Sequence, residues 1–290
     1  MCSAVAVAQT QASCSFTTFP LIFPNATTGT TGLLSSGIND FRTIVGTAQF
    51  SDEFGDLVST AGFIRWAGGG ITYLDGTLHQ LLLIDRNDKG IDVGYIGSEG
   101  NPMIFDGKTA KPITLKIGAN DYSQFFVTGI NDWGSIVGFY ESPGGRHGFK
   151  RWSNGSGFSL DYPGASLTEP AAINDNGTIV GHYVGAQSSV HGFIYHNGQW
   201  ATLDFPNSSS TLLEGISNTD VIVGTTYLNG ANTSTTFLYK NGVFETIALP
   251  DQGAQASTVA FGTSLRSGLI VGMASSSTMI PPQGFIADCK

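Results

Sequence analysis

Four Asn-Asp pairs recur along this chain, at 39–40, 87–88, 131–132 and 174–175. Carboxylates beside amide oxygens are calcium-type donors, but calcium needs roughly six to eight converging oxygens, usually from one Asp-rich loop. Each pair offers a single carboxylate, and Asn and Asp are also the usual turn residues. We therefore read them as structural turns. His147 and His191 open two equivalent segments, His147-Gly-Phe149 and His191-Gly-Phe193. A structural hydrogen bond to a neighbouring loop is expected of them rather than catalysis. No Gly-x-Ser-x-Gly elbow, His-Glu-x-x-His, Cys-x-x-Cys or phosphate-cradling glycine motif occurs in the chain.

These residues must be positioned by a repeated element. Six phrases end in Val-Gly: Thr43–Gly46, Ile91–Gly94, Ser135–Gly138, Thr178–Gly181, Val221–Gly224 and Leu269–Gly272. Their glycines are 48, 44, 43, 43 and 48 residues apart, and short strands with a period of about 40–50 residues indicate a propeller or a β-solenoid. One full unit spans 166 to 206. Leu167–Ile173 is a first strand, Asn174-Asp-Asn-Gly177 a hairpin turn and Thr178–Tyr183 a second strand. His191–Tyr195 is a third strand, and the turn Asn197-Gly198 opens a fourth at Trp200. Third strands elsewhere centre on Phe63, Phe105, Phe149, Phe237 and Phe285, and fourth strands run from Ile71, Ile113, Phe158 and Phe244.

The sixth repeat ends at Lys290 without a fourth strand, while Phe16–Leu21 has fourth-strand spacing ahead of the first repeat. The expected fold is all-β: a six-bladed β-propeller of four-stranded antiparallel blades, closed by residues 15–22 pairing with 283–288. Such closure hides sheet edges that would otherwise invite aggregation. Residues 1–14 are read as a tail or signal remnant and 15–290 as one domain. In repeat register Cys14 and Cys289 fall where Gly198 and Asn197 sit, at the turn joining third and fourth strands. A disulfide there would replace the severed turn and imply an oxidising compartment. Cys2 is left over.

Composition excludes several classes. A net charge of −9, with only 13 basic residues and no basic run, argues against nucleic acid. No apolar stretch nears the roughly 18 residues needed to span a membrane.

The phrase Ile-Asn-Asp-x-Gly-x-Ile-Val-Gly followed by His-Gly-Phe resembles the extracellular repeat family named for its His-Ala-Phe signature. The match is close at Ile130–Gly138 with His147–Phe149, and at Ile173–Gly181 with His191–Phe193. It departs in having Gly for the middle Ala, and Ala61, Met103, Thr235 or Gln283 at the His position. The resemblance implies an exported propeller-type protein and carries over no catalytic residues.

Function is expected in the loops that differ between repeats, because loops on a rigid scaffold usually carry it. Loops between second and third strands share one face with the connections between repeats, and that face gathers Asp52, Glu53, Asp56, Glu99, Glu141, Arg146 and Glu169, with Tyr122 and Glu214 on inner strands nearby. The ligand-binding candidates are thus Glu141, Arg146, Glu169, Glu214, Tyr122, His147 and His191. The leading expectation is a binding or surface-interaction module for a carbohydrate or small molecule. Two alternatives stand beside it. One is a hydrolase or lyase on saccharides or lactones with a divalent cation at the channel mouth, and the other a structural protein of an extracellular assembly.

Overall fold

The computed structural model describes residues 9–20, 30–51, 57–74, 81–97, 100–228, 234–249, 257–276 and 279–289. Among them the chain is all-β apart from one short 3-10 turn at Ala186–Ser188. The strands group into six antiparallel sheets of four by their hydrogen-bond registers. Their first strands are Thr30–Ile38, Leu82–Arg86, Phe126–Ile130, Leu167–Ile173, Ser208–Ile216 and Ser257–Thr263. Each is followed by an Asn- or Ser-led turn and a second strand carrying one Val-Gly phrase. The expected third-strand phenylalanines Phe63, Phe105, Phe149, Phe193, Phe237 and Phe285 are all fully buried. Burying each contributes about 1.5–3 kcal/mol.

The seam follows the expected pairing. Cys14–Phe19 runs antiparallel to the end of Met279–Cys289, from Cys14 opposite Cys289 to Phe19 opposite Gly284. A Cys14–Cys289 disulfide ties the two ends across a sequence separation of 275. In the chain-entropy picture a loop of that size contributes about 3–5 kcal/mol. Two details differ from expectation. Within the segment read as a tail, Gln9–Gln11 forms a short parallel strand against Phe244–Thr246 of the fifth sheet. The fourth strand of the second sheet is Ala110–Pro112, ahead of Ile113.

The core lies between sheets rather than within one. One cluster joins Phe19 and Ile286 of the sixth sheet to Ile38, Ile44 and Phe63 of the first. Equivalent layers fill the spaces between the other neighbours. Alternating side chains make this possible, since each sheet sends every second residue to the same face.

Polar ties set the spacing at one end. Asn39, Asn87, Asn131 and Asn174 are buried, and their Oδ1 atoms accept backbone N–H groups within their own turns. Their Nδ2 atoms donate to the next turn: Asn39 to Asn87 O, Asn87 to Asn131 O, Asn131 to Asn174 O and Asn174 to Ser217 O. A second chain runs beside it. The backbone N–H groups of Asp40, Asp88 and Asp132 each donate to the carboxylate of the next turn's aspartate at 2.8–2.9 Å, and Asp175 donates to Asn218 Oδ1 at 2.8 Å. Asn218 N–H donates to Leu265 O. Ser267 and Arg266 N–H then donate back to Asp40, at 2.7 and 3.0 Å. The Asn-Asp pairs are therefore inter-sheet ties.

The second repeat breaks the pattern. Where four sheets pair two isoleucines across first and second strands (Ile130 with Ile136 and Ile173 with Ile179 among them) and the sixth pairs Thr263 with Ile270, it pairs Arg86 with Asp92. Both side chains are buried and form a two-pronged ion pair of 2.6 and 2.9 Å. A buried pair adds little over matched apolar residues, whereas stranding one charge is costly. Asp92→Ile alone should lose about 3–5 kcal/mol of unfolding free energy in urea titrations, and Arg86→Ile/Asp92→Ile should equal or exceed wild type. A single variant as stable as wild type would refute this.

Candidate functional site

Every first strand carries a β-bulge, a one-residue register shift between Leu33 and Ser35, Leu83 and Asp85, Val127 and Gly129, Pro170 and Ala172, Leu213 and Gly215, and Ala260 and Gly262. Bulges re-aim side chains and are frequent beside functional sites. Counting three residues back from each turn-leading Asn or Ser gives Ser36, Ile84, Thr128, Ala171, Glu214 and Phe261; the last five are the unpaired bulge residues, whereas Ser36 pairs with Gly46 because the first strand's shift falls earlier. All six line one cavity of about 280 Å³. Each comes from a different first strand, so all six first strands contribute to the wall of this cavity.

The next position explains why the strands converge so closely. It holds Gly37, Gly129, Ala172, Gly215 and Gly262, with Asp85 as the exception. A Cβ on Gly215 would stand 2.7 Å from Thr263 N, and one on Gly37 would collide with Asp85. The small residues are packing requirements. Asp85 fits because Gly37 makes room, and its carboxylate accepts Ile130 N–H and Arg86 N–H, both at 2.9 Å. Burial pushes its pKa up to about 6, against those two hydrogen bonds and with help from the Asp92 charge.

The wall of the cavity is divided by chemistry. Phe126 and Phe139 stack at 4.7 Å on one side, and Tyr95 beside them is fixed by bonds between its hydroxyl and both polar groups of Val127. Glu169, His182 and Glu214 form the polar side. Glu169 is ion-paired to Arg146, which also binds Glu141 at 2.9 Å, and His182 Nε2 lies 3.4 Å from Glu169 Oε2. Burial lowers the His182 pKa, the Glu169 charge opposing and the Arg146 charge assisting, so the imidazole is neutral at pH 7. Glu214 makes no hydrogen bond or ion pair among the described residues. Burial, with the nearby Glu169 charge, pushes its pKa up to about 7.

The expected site residues thus separate. Glu169 and Glu214 reach the cavity, while Arg146 and Glu141 extend from it to the surface as an ion-paired chain. Tyr122 lies on no inner strand: it belongs to a hairpin, Leu115–Ile117 with Asn120–Tyr122, inserted before the third sheet, and packs on Tyr140 at 4.6 Å. His147 binds Asp161 and stacks on Tyr140, and His191 binds Asp204 and Ser189 and stacks on Tyr183. Asp52, Glu53, Asp56, Glu99 and Cys2 lie outside the described residues. Asp85 and His182 were not expected. Asp85 had a legible signal, as the one acidic residue at a position otherwise Gly or Ala.

At the turn end, Arg266 reaches over the aspartate chain to Asp132 at 3.1 Å and Asp88 at 3.8 Å. Burial and the side-chain contact with the Asp40 carboxyl raise the Asp88 pKa, against the hydrogen bond from Asp40 N–H. Burial also works against ionising Asp40, but the bonds from Asp88, Ser267 and Arg266 outweigh it and hold its pKa down. Among the described residues no three His, Cys, Asp or Glu side chains converge to hold a metal ion, and no helix is long and apolar enough to cross a membrane.

No protein-family model matches the chain, and no curated protein shows significant similarity to it. Solved structures do. TolB from Acinetobacter baumannii aligns at TM-score 0.56 and 11% identity, over 86% of this chain and 64% of that one. A mutant of AofleA from Arthrobotrys oligospora aligns at 0.50 and 12%, over 95% and 86%. The β-propeller domain of the Trilobed protease from Pyrococcus furiosus aligns at 0.46 and 8%, over 88% and 80%. At these identities the likeness bears on fold alone, which is all-β with propeller-like relatives.

Glu214 makes stability depend on pH. Its pKa of about 7 lies above the ordinary value of 4.5, so the folded state holds a proton that the unfolded state releases between those values. Its contribution is complete below pH 4.5 and is lost as pH rises to 7. Relative to wild type, Glu214→Gln should therefore gain on the order of 2–3 kcal/mol between pH 4.5 and 8 in denaturant titrations. Parallel pH profiles would show that the carboxyl is not enclosed.

Proposed function

We propose that this protein is an exported six-bladed β-propeller, closed at the Cys14–Cys289 seam, that binds a small organic molecule in its axial cavity. The reading moves the binding site from the acidic loop face to the channel. One observation carries it: the third position before each turn, a bulge residue in five of the six first strands, faces one cavity in every repeat, and there the repeat symmetry is broken by Glu214 beside Asp85, Glu169 and His182. A repeat whose task was purely architectural would gain nothing from an unpaired carboxylate at its centre, where burial without a partner is costly. Pockets for small molecules typically combine apolar and aromatic walls with a few polar groups, as this one does. Export accords with the disulfide and with the His-Ala-Phe resemblance.

A hydrolase or lyase on saccharides or lactones is the second reading. Its specific support is Glu214, which retains its proton up to about pH 7 and would serve as a general acid, with neutral His182 as the base. The binding reading needs no cation and no proton transfer.

Ala171 sits at the bulge position of the fourth sheet and faces the cavity, so Ala171→Phe should fill it. In a thermal-shift screen of saccharides, lactones and small metabolites, ligands that stabilise wild type should leave Ala171→Phe unmoved. Equal shifts in both proteins would place binding elsewhere and defeat the proposal.

A further inference from the structure

The wall of the axial cavity is rich in acceptors and poor in free donors. Glu214 stands without a partner, and Glu169 has a second oxygen reached only by His182 at 3.4 Å. Thr128 Oγ1 donates to Pro170 O at 2.7 Å and Tyr95 is tied to Val127, while Ser36 Oγ and Thr263 Oγ1 have no partner among the described residues but are themselves buried, out of a guest's reach. A sugar presents hydroxyls that both donate and accept, and here its acceptors would find few donors. An ammonium group presents only donors, three of them. The opposite wall supplies an aromatic face. Phe126 remains 46% exposed although it lies in the wall, a large apolar surface left open for a guest. Carboxylate on one side and aromatic face on the other is the arrangement that holds organic cations, through an ion pair and a cation–π contact.

Size and charge point the same way. At about 280 Å³ the cavity is at the lower end of small-molecule sites, which run to roughly 300–1,000 Å³, so a compact guest fits and an oligosaccharide does not. The chain carries a net charge of −9, which favours approach of cations. The titratable groups sharing the wall with Glu214 are Asp85, Tyr95, Glu169 and His182. None of them is cationic at neutral pH, since His182 is neutral there. The nearest cation, Arg146, is bound by Glu141 and Glu169 and lies over Phe139, at 4.6 Å from its ring.

We propose that the axial cavity is a site for a compact primary-amine cation bearing an aromatic or branched apolar group, with the ammonium on Glu214 and the apolar body against Phe126. This rests on reading the cavity as a ligand site. Binding an ammonium there favours the ionised Glu214, so affinity should fall as Glu214 takes up its proton, by up to about tenfold per pH unit below 7.

The test is calorimetry on the full chain with three probes: benzylamine, its neutral isostere benzyl alcohol, and methyl β-glucoside. Wild type at pH 8 should bind benzylamine at least tenfold more tightly than benzyl alcohol. Glu214→Gln, checked for folding by circular dichroism, should erase that preference, and Ala171→Phe should abolish binding. In wild type the preference should shrink from pH 8 to pH 5.5. If benzyl alcohol or the glucoside binds as well as the amine and is displaced in Ala171→Phe, the cavity stands as a ligand site but the amine assignment falls. A benzylamine preference that survives Glu214→Gln likewise overturns the assignment. If no probe binds at millimolar concentration, the assignment and the cavity reading fall together.

Discussion

The structure depends on a chain of hydrogen bonds that runs from the turn of one sheet to the turn of the next. Each buried Asn satisfies its own turn with its oxygen and ties the next turn with its amide. A buried amide left unpaired costs about 1–3 kcal/mol, so neighbouring turns are held at one fixed separation. Where the Asn is replaced, in the fifth and sixth repeats, Ser217 and Ser264 keep the internal turn bond, and the outgoing link passes to backbone groups and Asp40. A short side chain that caps its own turn can be exchanged for another, provided the inter-sheet donor is found elsewhere.

From this spacing the site follows. Turns tied so closely bring the first strands nearly into contact, and the position two residues before the turn is Gly or Ala in five of the six repeats. Strands crowded at that level cannot all continue in register, and in five of the six a bulge there turns the preceding residue to the cavity. The constraint therefore produces six positions that face one cavity. Five hold Ser36, Ile84, Thr128, Ala171 and Phe261, and one holds Glu214. Asp85 is the complementary exception, admitted into the tight layer because Gly37 vacates the space and Ile130 N–H binds it. Rigidity made by repetition and chemistry made by its local breach occupy adjacent residues.

Much of this was legible in the sequence. The Val-Gly spacing located the strands, the phenylalanines located the core, and the cut repeat located the Cys14–Cys289 seam, because all three depend on local pattern or simple register. Glu169 and Glu214 were singled out as candidates for their charge and their place near the first strands. The bulges were not legible, since a one-residue shift reverses the alternation only over the last two or three residues of each first strand, too short a stretch to read as a pattern. Without them the inward direction of Glu214 and the shared cavity could not be drawn, and attention fell on the loop face instead. Tyr122 was misplaced because an inserted hairpin interrupts the register before the third sheet. The Arg86–Asp92 pair was hidden for a different reason: each residue alone looks like a lapse in an apolar position, and only their pairing across strands makes them equivalent to two isoleucines.

The central claim is that the bulges enclose Glu214 in an axial cavity beside Glu169. Carbon-detected NMR titration of the Glu214 carboxyl tests it most directly, in wild type and in Glu169→Gln. A midpoint near 7 in wild type, moving down when the Glu169 charge is removed, is the result predicted. A midpoint in the ordinary carboxylate range near 4.5, unmoved by Glu169→Gln, would contradict the account.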